Sequence, residues 1–472
     1  GGYMARRPAT RLQLSGYRFL IRRTTHALVR GDTRMLDDPL RAQVISFSAG
    51  LVLAAVVLAV CTALAVLRPG DALGSAPILM ARESGALHVR IGDTVHPVLN
   101  LASARLVAGV PADPEPVGAA AIAAAARGPL VGIPGAPTQI DPALNIEESG
   151  FTLCDRADVP STVLIAGPLR DGTRPWRPGQ AVLVTPRGES AATTYLLYDG
   201  SRAAVDLRDM AAVRALRLEG MAPVPVSRSL LDSLREVPAV AAPPIPDAGA
   251  PGPPALGGLA VGNVVRVARA SLDAPSSEFY VVLGGGLQRV GAIAADLIRF
   301  TVAQTGGEPP LIAAGTAAAV PFVDSLPVAT FPERVRQPED GVICAGWNVR
   351  DTGMRSTLIV GDSLPVPDNQ RLLPLAQADQ AGPNVDGIVF PAGRSMLVRA
   401  TGLAGDGGTP GPLYLVNDLG VRFGIQNDTA AQQLGLAGPA VAAPWSMLTR
   451  LPPGPELSTQ AASVVRDGLA IR

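Results

Sequence analysis

The stretch "AQVISFSAGLVLAAVVLAVCTALAVL", Ala42 to Leu67, runs twenty-six residues without a charged side chain, in a chain of 472 residues otherwise rich in arginine. Length decides how it reads. A helix of about twenty apolar residues spans the hydrocarbon of a bilayer, whereas a buried helix in a soluble domain is usually shorter and broken by polar positions. A secretory signal has a short basic leader and an apolar run of roughly 7–15 residues. Here forty-one residues precede the run, and the run itself is longer. Ala63-Leu64-Ala65 mimics a small-residue cleavage site, a weak match where alanine is so common. The sequence predicts an uncleaved transmembrane helix over residues 42–67.

Charge sets the direction. Residues 1–41 carry nine arginines (Arg6, Arg7, Arg11, Arg18, Arg22, Arg23, Arg30, Arg34 and Arg41) against Asp32, Asp37 and Asp38, a net of +6. The whole chain has 40 basic and 40 acidic residues, so residues 42–472 hold 31 against 37, a net of −6. Positive flanks stay cytoplasmic, which makes residues 1–41 a basic cytoplasmic head and exports everything after Leu67. All forty basic residues are arginine. Without lysine, the Gly-rich loop ending in Lys-Ser/Thr that cradles phosphates cannot be built. The balanced charge gives no sign of nucleic-acid binding, and the basic head reads as a lipid-facing, topology-setting flank.

Cysteine usage agrees with export. Cys61 lies within the span as a small apolar residue. Cys154 and Cys344, 190 positions apart, fall in the exported part, where an oxidising compartment lets them pair; two separate buried thiols are the alternative. No Cys-x-x-Cys or Cys/His cluster suggests a metal.

From Gln13 to Gln43 the spacing of Leu14, Tyr17, Ile21, Thr25 and Leu28 is helical, with Arg18, Arg22 and Arg23 on the other stripe. Gly31-Asp32 ends this helix, and Asp37-Asp38-Pro39 starts the next. Such a helix lies on a bilayer or docks on a partner. The runs Gln13-Leu-Ser-Gly16-Tyr17-Arg18-Phe19-Leu20, His26-Ala-Leu-Val-Arg30, Asp32-Thr-Arg34-Met35-Leu36 and Asp38-Pro39 resemble the head of the EccB family, core components of mycobacterial type VII (ESX) secretion systems. The resemblance continues through the single span and the two-cysteine exported part. It implies an inner-membrane complex with the body in the periplasm. The implied partners are the EccC motor ATPase, EccD, EccE, the mycosin protease and other copies of the chain. On that resemblance Gln13, Gly16, Tyr17, Arg18, Phe19, Arg30, Asp32, Arg34, Asp38 and Pro39 form a cytoplasmic assembly motif.

The exported part repeats itself. Segments from Tyr195, Tyr280 and Tyr414 each read strand, Gly turn, short strand, helix, with Gly200, Gly285 and Gly420 in the turns. Ile78 begins a longer fourth version, and a trailing element starts at Pro225, Pro321 and Pro444. Starts near 78, 195, 280 and 414 are unequally spaced, against a tight solenoid. The longer gaps contain both cysteines and several strand-like runs. The expected fold is α+β: an amphipathic helix, a single transmembrane helix, and a body of four ββα-type repeats (68–134, 191–237, 259–339 and 403–472). These flank, in pairs, a central β-rich domain assembled from 135–190 and 340–402 and joined through Cys154 and Cys344. The EccB family is likewise described with four repeats around a central domain. Pro238 to Gly258 reads as a Pro-rich surface loop or linker.

Catalytic constellations are scarce. His26, His88 and His96 are the only histidines, and no third ligand accompanies His88 and His96. Gly284-Gly285-Gly286 reads as a hairpin turn rather than a phosphate cradle, and the run at 405–408 is the other glycine-rich candidate. Asp199, Asp206, Asp209 and Asp232 fall at turns and on helix faces, where capping or solvation suffices. Trp176, Trp347 and Trp445 are dispersed. EccB proteins have been attributed ATPase activity, so ATP is a ligand only under that alternative; otherwise no cofactor or metal is expected. The leading expectation is a structural secretion-complex subunit. The alternatives are a nucleotide hydrolase and a cell-wall-binding module, the latter weakened by an aromatic share of 4%.

Overall fold

The backbone N–H of Thr10 donates to Gln13 Oε1 at 3.1 Å and starts helix α1 (Arg11–Arg30), which ends where Gly31 turns left-handed at φ 67°. Pro39, whose missing N–H is harmless in a first turn, opens α2 (Pro39–Leu67). Gln43–Leu64 is the one helical stretch among the described residues long and apolar enough to cross a membrane. The structure, a computed structural model, describes residues 10–31, 39–67, 73–156, 158–188, 193–269, 276–301, 307–338, 341–350, 353–404, 411–436 and 438–467. The chain divides into two units, Gly1–Gly74 and Ser75–Arg472, the second of which is the body.

Four sheets of the body share one connectivity. Three antiparallel strands are followed by a helix, a short strand parallel to the first, a second helix, and a return segment parallel to the third. In the first module the strands are Ile78–Ala81, Leu87–Ile91 and Thr94–Pro97, the helices α3 (Leu101–Ala108) and α4 (Ala119–Ala124), and the parallel partners Glu115–Val117 and Ala126–Arg127. The second has Gln180–Pro186, Thr194–Tyr198 and Ser201–Val205, with α5 (Met210–Leu216), α6 (Arg228–Asp232), Val224–Val226 and Arg235–Val237. In the third, Val264–Arg269, Ser276–Leu283 and Gly286–Val290 precede α7 (Ala292–Thr301), Leu311–Ile312, α8 (Ala314–Ala318) and a bridge from Phe322 to Leu287. The fourth runs Ser395–Thr401, Leu413–Asn417 and Arg422–Ile425, then α9 (Asp428–Leu434), Val441–Pro444, α10 (Trp445–Leu448) and a bridge from Pro453 to Arg422.

Local chemistry explains the plan. Asp199 and Gly200 take φ of 47° and 71°, the consecutive left-handed pair of a two-residue hairpin turn. Asn100, Asp209, Ser227 and Asn427 cap α3, α5, α6 and α9 with their side-chain oxygens. Helices cover both faces of a sheet: Leu196, Tyr198 and Val205 face α5, while Val182, Val184 and Leu197 pack with Leu230 and Leu231 of α6.

The second, third and fourth modules begin one strand earlier than the sequence reading. Tyr195, Tyr280 and Tyr414 lie in second strands, and the first strands Gln180–Pro186 and Ser395–Thr401, assigned above to the central segments, pair inside the second and fourth modules. Those strands are buried nearly throughout, so they lack the alternation and adjoining turn that mark their neighbours. The Pro-rich segment is not a free linker. Val240 and Leu256 are buried, Val240 N–H donates to Ala204 O at 2.9 Å, and Gly252 N–H to Leu259 O at 3.0 Å. It straps the second module to the third.

Helices pair the modules. Ile293 and Leu297 of α7 join the α5 core, and Ala102 and Leu106 of α3 pack with Ala430, Ala431 and Leu434 of α9. Arg105, nearly buried, donates to Leu434 O at 2.8 Å and to Asp113 at 2.8 Å. Short strands Leu130–Val131 and Val465–Arg466 pair, bringing the last described strand beside the first module. Between the module pairs stands a six-stranded sheet ordered Gly353–Gly361, Val342–Arg350, Gly150–Arg156, Ser161–Ala166, Gly387–Val389, Leu373–Pro374.

Candidate functional site

The central sheet meets the second and fourth modules at one junction. On that face Phe151, Leu153, Ile343 and Trp347 close on Val182 and Leu197 of the second module and Met396, Val398 and Val416 of the fourth. The opposite face holds Cys154, Val163, Ile165 and Cys344. Cys154 and Cys344 stand directly opposite in antiparallel register and form a disulfide, Cα to Cα 4.0 Å, with neither exposed.

Asp155 follows Cys154 and turns the other way, 2% exposed. Its carboxylate accepts from the Ser227 N–H, from Ser227 Oγ at 2.9 Å and from Thr162 Oγ1 at 2.8 Å, with the Arg187 guanidinium at 3.7 Å. Burial pushes this carboxyl above the ordinary aspartate range, opposed by the Ser227 amide and Arg187. Ser227 Oγ also accepts from Leu230 N–H at 3.0 Å, so the group that caps α6 is held by the central strand. At the other end of α6, Asp232 receives Arg202 at 3.1 Å and Arg450 of the fourth module at 2.9 Å. Trp347 Nε1 donates to Ala442 O at 3.2 Å, a second tie to the fourth module. Chemically this is a joint: the Asp155 carboxylate, the Ser227 hydroxyl and the Trp347 indole N–H find partners across three parts of the body, while Arg202 Nε and Arg450 Nε are buried without one among the described residues.

The residues singled out from sequence fall elsewhere. Gln13, Gly16, Tyr17, Arg18, Phe19 and Arg30 lie on α1, with Tyr17 and Phe19 exposed, and Pro39 begins α2. Asp32, Arg34, Asp38 and the glycine run at 405–408 lie outside the described residues. Gly200 and Gly420 are left-handed turn residues, and a Cβ at Gly200 would overlap the Ser356 carbonyl. In the third module the glycine requirement sits at Gly286, one residue beyond Gly285; its φ is 147° and a Cβ would overlap the Pro321 carbonyl. His96 contacts Thr94 Oγ1 at 2.8 Å and Pro129 O at 3.0 Å. His88 lies one strand away, its imidazole pushed below the ordinary range by burial. Asp209 caps α5, Asp206 pairs with Arg208 and Asp199 accepts from Gly179 N–H, whereas Asp232 ties two modules together. Trp347 is buried, and Trp445 stacks on Tyr414 at 5.7 Å. Sequence reasoning missed Asp155, Ser227 and Arg187; the available signal was an acid directly after Cys154, near the end of a strand-like run.

Residues 6–471 match the family described as "Type VII secretion system ESX-1, transport TM domain B". The chain belongs to the EccB family. It is 35% identical to the ESX-3 secretion system ATPase EccB3 of Mycobacterium tuberculosis over 98% of this chain and 90% of that protein. It is 34% identical to the ESX-1 secretion system ATPase EccB1 of the same species, over 99% and 96%. Among solved structures, a chain of an intact ESX-5 inner membrane complex matches with TM-score 0.71, 29% identity and coverage of 100% and 98%. The EccB3 dimer from the ESX-3 core complex matches with TM-score 0.70, 30% identity and coverage of 83% and 100%. Relatives and solved structures from several ESX systems are thus similar to nearly the whole of this chain, the apolar helix α2 included.

Proposed function

We propose that this EccB chain is a structural subunit of an ESX inner-membrane complex. Its head stays in the cytoplasm, α2 crosses the membrane, and four copies of one repeat around a central sheet build a periplasmic platform. The observation carrying this reading is the junction: Asp155 ties the second module to the central sheet, Asp232 ties the second module to the fourth, and the disulfide joins the two chain segments of the sheet, which is the chemistry of a rigid scaffold. EccC, EccD, EccE and the mycosin protease are the partners this predicts, together with a second copy of the chain. Similarity to chains from an intact ESX-5 inner membrane complex and an EccB3 dimer supports assembly of this kind.

A nucleotide-hydrolase reading draws on the names of relatives called ATPases. Against it stands a sequence with no lysine, so a Lys-dependent phosphate loop has no cation to use. A wall-binding module has less support, because among the described residues only Trp445 and Tyr414 stack, the Tyr280–Phe322 pair being tilted at 43°. Deleting the gene and complementing it with the full chain tests the scaffold: the complex on native gels should vanish and return. Persistence of an intact complex without the chain would overturn it.

A further inference from the structure

The N-terminal helix α1 leaves an apolar stripe uncovered. Leu14, Tyr17, Leu20, Ile21 and Leu28 are between 48% and 85% exposed, and all five fall within one arc of the helix at 100° per residue. Arg11, Arg18 and Arg22 run along one edge of that arc and Arg23 and Arg30 lie across from it, the cationic side also carrying exposed Leu12, Phe19 and Val29, and the helix contains no acidic residue. Only residues 31–38 separate α1 from α2, so its end lies within roughly 32 Å of the first residue of the membrane helix. We propose that α1 lies in the bilayer interface beside the root of α2, its apolar stripe among the acyl chains and its arginines on anionic lipid phosphates.

Charge complementarity and the short tether select this occupant. A helix with five cations and no anion is suited to an anionic surface, and guanidinium groups engage phosphodiesters in paired hydrogen bonds. The tether keeps the local concentration of that surface high whatever else binds. An acidic protein face would satisfy the arginines but would have to supply a groove for five apolar side chains.

The test uses the full chain in lipid nanodiscs. Replacing Cys61→Ser and Ile21→Cys places one spin label on the stripe, while Cys154 and Cys344 stay paired as a check on folding. In phosphatidylglycerol discs the label should be shielded from water-soluble relaxants and accessible to oxygen; in phosphatidylcholine discs it should be largely exposed. Each arginine contributes about fivefold to the bound population, so R18Q, R22Q and R23Q together should lower the bound-to-free ratio about a hundredfold. Molar salt should do likewise, whereas R18K, R22K and R23K should retain most binding. Equal exposure in both lipids, or shielding that arises only when other secretion subunits are present, would overturn the proposal, the latter outcome assigning α1 to a protein seat.

Discussion

Replacing both Cys154 and Cys344 by alanine should cut the stability of the body sharply without unmaking its fold. The bond closes a loop of 190 residues. In the chain-entropy description, releasing a loop of that length returns about 18 cal/mol/K to the denatured chain, about 5 kcal/mol at 25 °C, near the top of the usual range. The native strands lose little, because Gly150–Arg156 and Val342–Arg350 stay paired over seven positions and the junction core lies on the opposite face. Urea unfolding of residues 75–472 followed by Trp347 fluorescence, with Trp176 and Trp445 replaced by phenylalanine, reads the effect where it should appear. The midpoint should fall and the slope should rise, because the uncrosslinked denatured chain exposes more surface. Reductant without urea should leave the bond intact, since both sulfurs are shielded. An unchanged midpoint in the alanine variant would refute the view that this bond holds the two halves of the central sheet together.

Asp155→Ala removes the counter-charge of Arg187, which among the described residues keeps only the Arg156 and Gln380 carbonyls at 3.4 and 3.5 Å, and takes the acceptor from the Ser227 N–H and the Thr162 hydroxyl; it should cost about 3–5 kcal/mol in the same assay, and a neutral result would show the network to be dispensable. The folded-state acidity of Asp155 is weakened by burial, so between its unfolded and folded titrations the native body holds a proton the unfolded chain has released. Wild-type stability relative to Asp155→Asn should therefore be greatest at low pH and decline as pH rises through that window. Thermal midpoints across that range would contradict this if the difference were flat or grew with pH. Gly286→Ala forces a left-handed alanine against the Pro321 carbonyl and should destabilise the third module by about 1–3 kcal/mol, detectable as faster amide exchange in Gly286–Val290 than in the second module.

Much of this architecture is legible because the deciding features are local. An unbroken apolar run announces the membrane helix, and Asp199-Gly200 announces a hairpin within a few residues. First strands such as Gln180–Pro186 are hidden because burial on both faces removes the alternation that separates strand from helix. Parallel partners such as Val224–Val226 are three residues long and take their identity from a strand far earlier. The joint is harder still: Asp155 meets Ser227 across 72 positions and Asp232 meets Arg450 across 218, separations at which a single sequence carries no pairing signal. Composition alone reads Pro238 to Gly258 as a surface loop or linker, and most of it does lie at the surface; what composition does not carry is the anchoring of that loop by buried Val240 and Leu256.

The central claim is that this EccB chain works by assembly, and the most direct test is extraction of the native membrane complex through a C-terminal tag on this chain. Mass spectrometry of the eluate and an ATP-hydrolysis assay, with and without EccC, complete the measurement. The account predicts co-elution of EccC, EccD and EccE, with hydrolysis that disappears when EccC is absent. A chain that elutes alone and still hydrolyses ATP would contradict it.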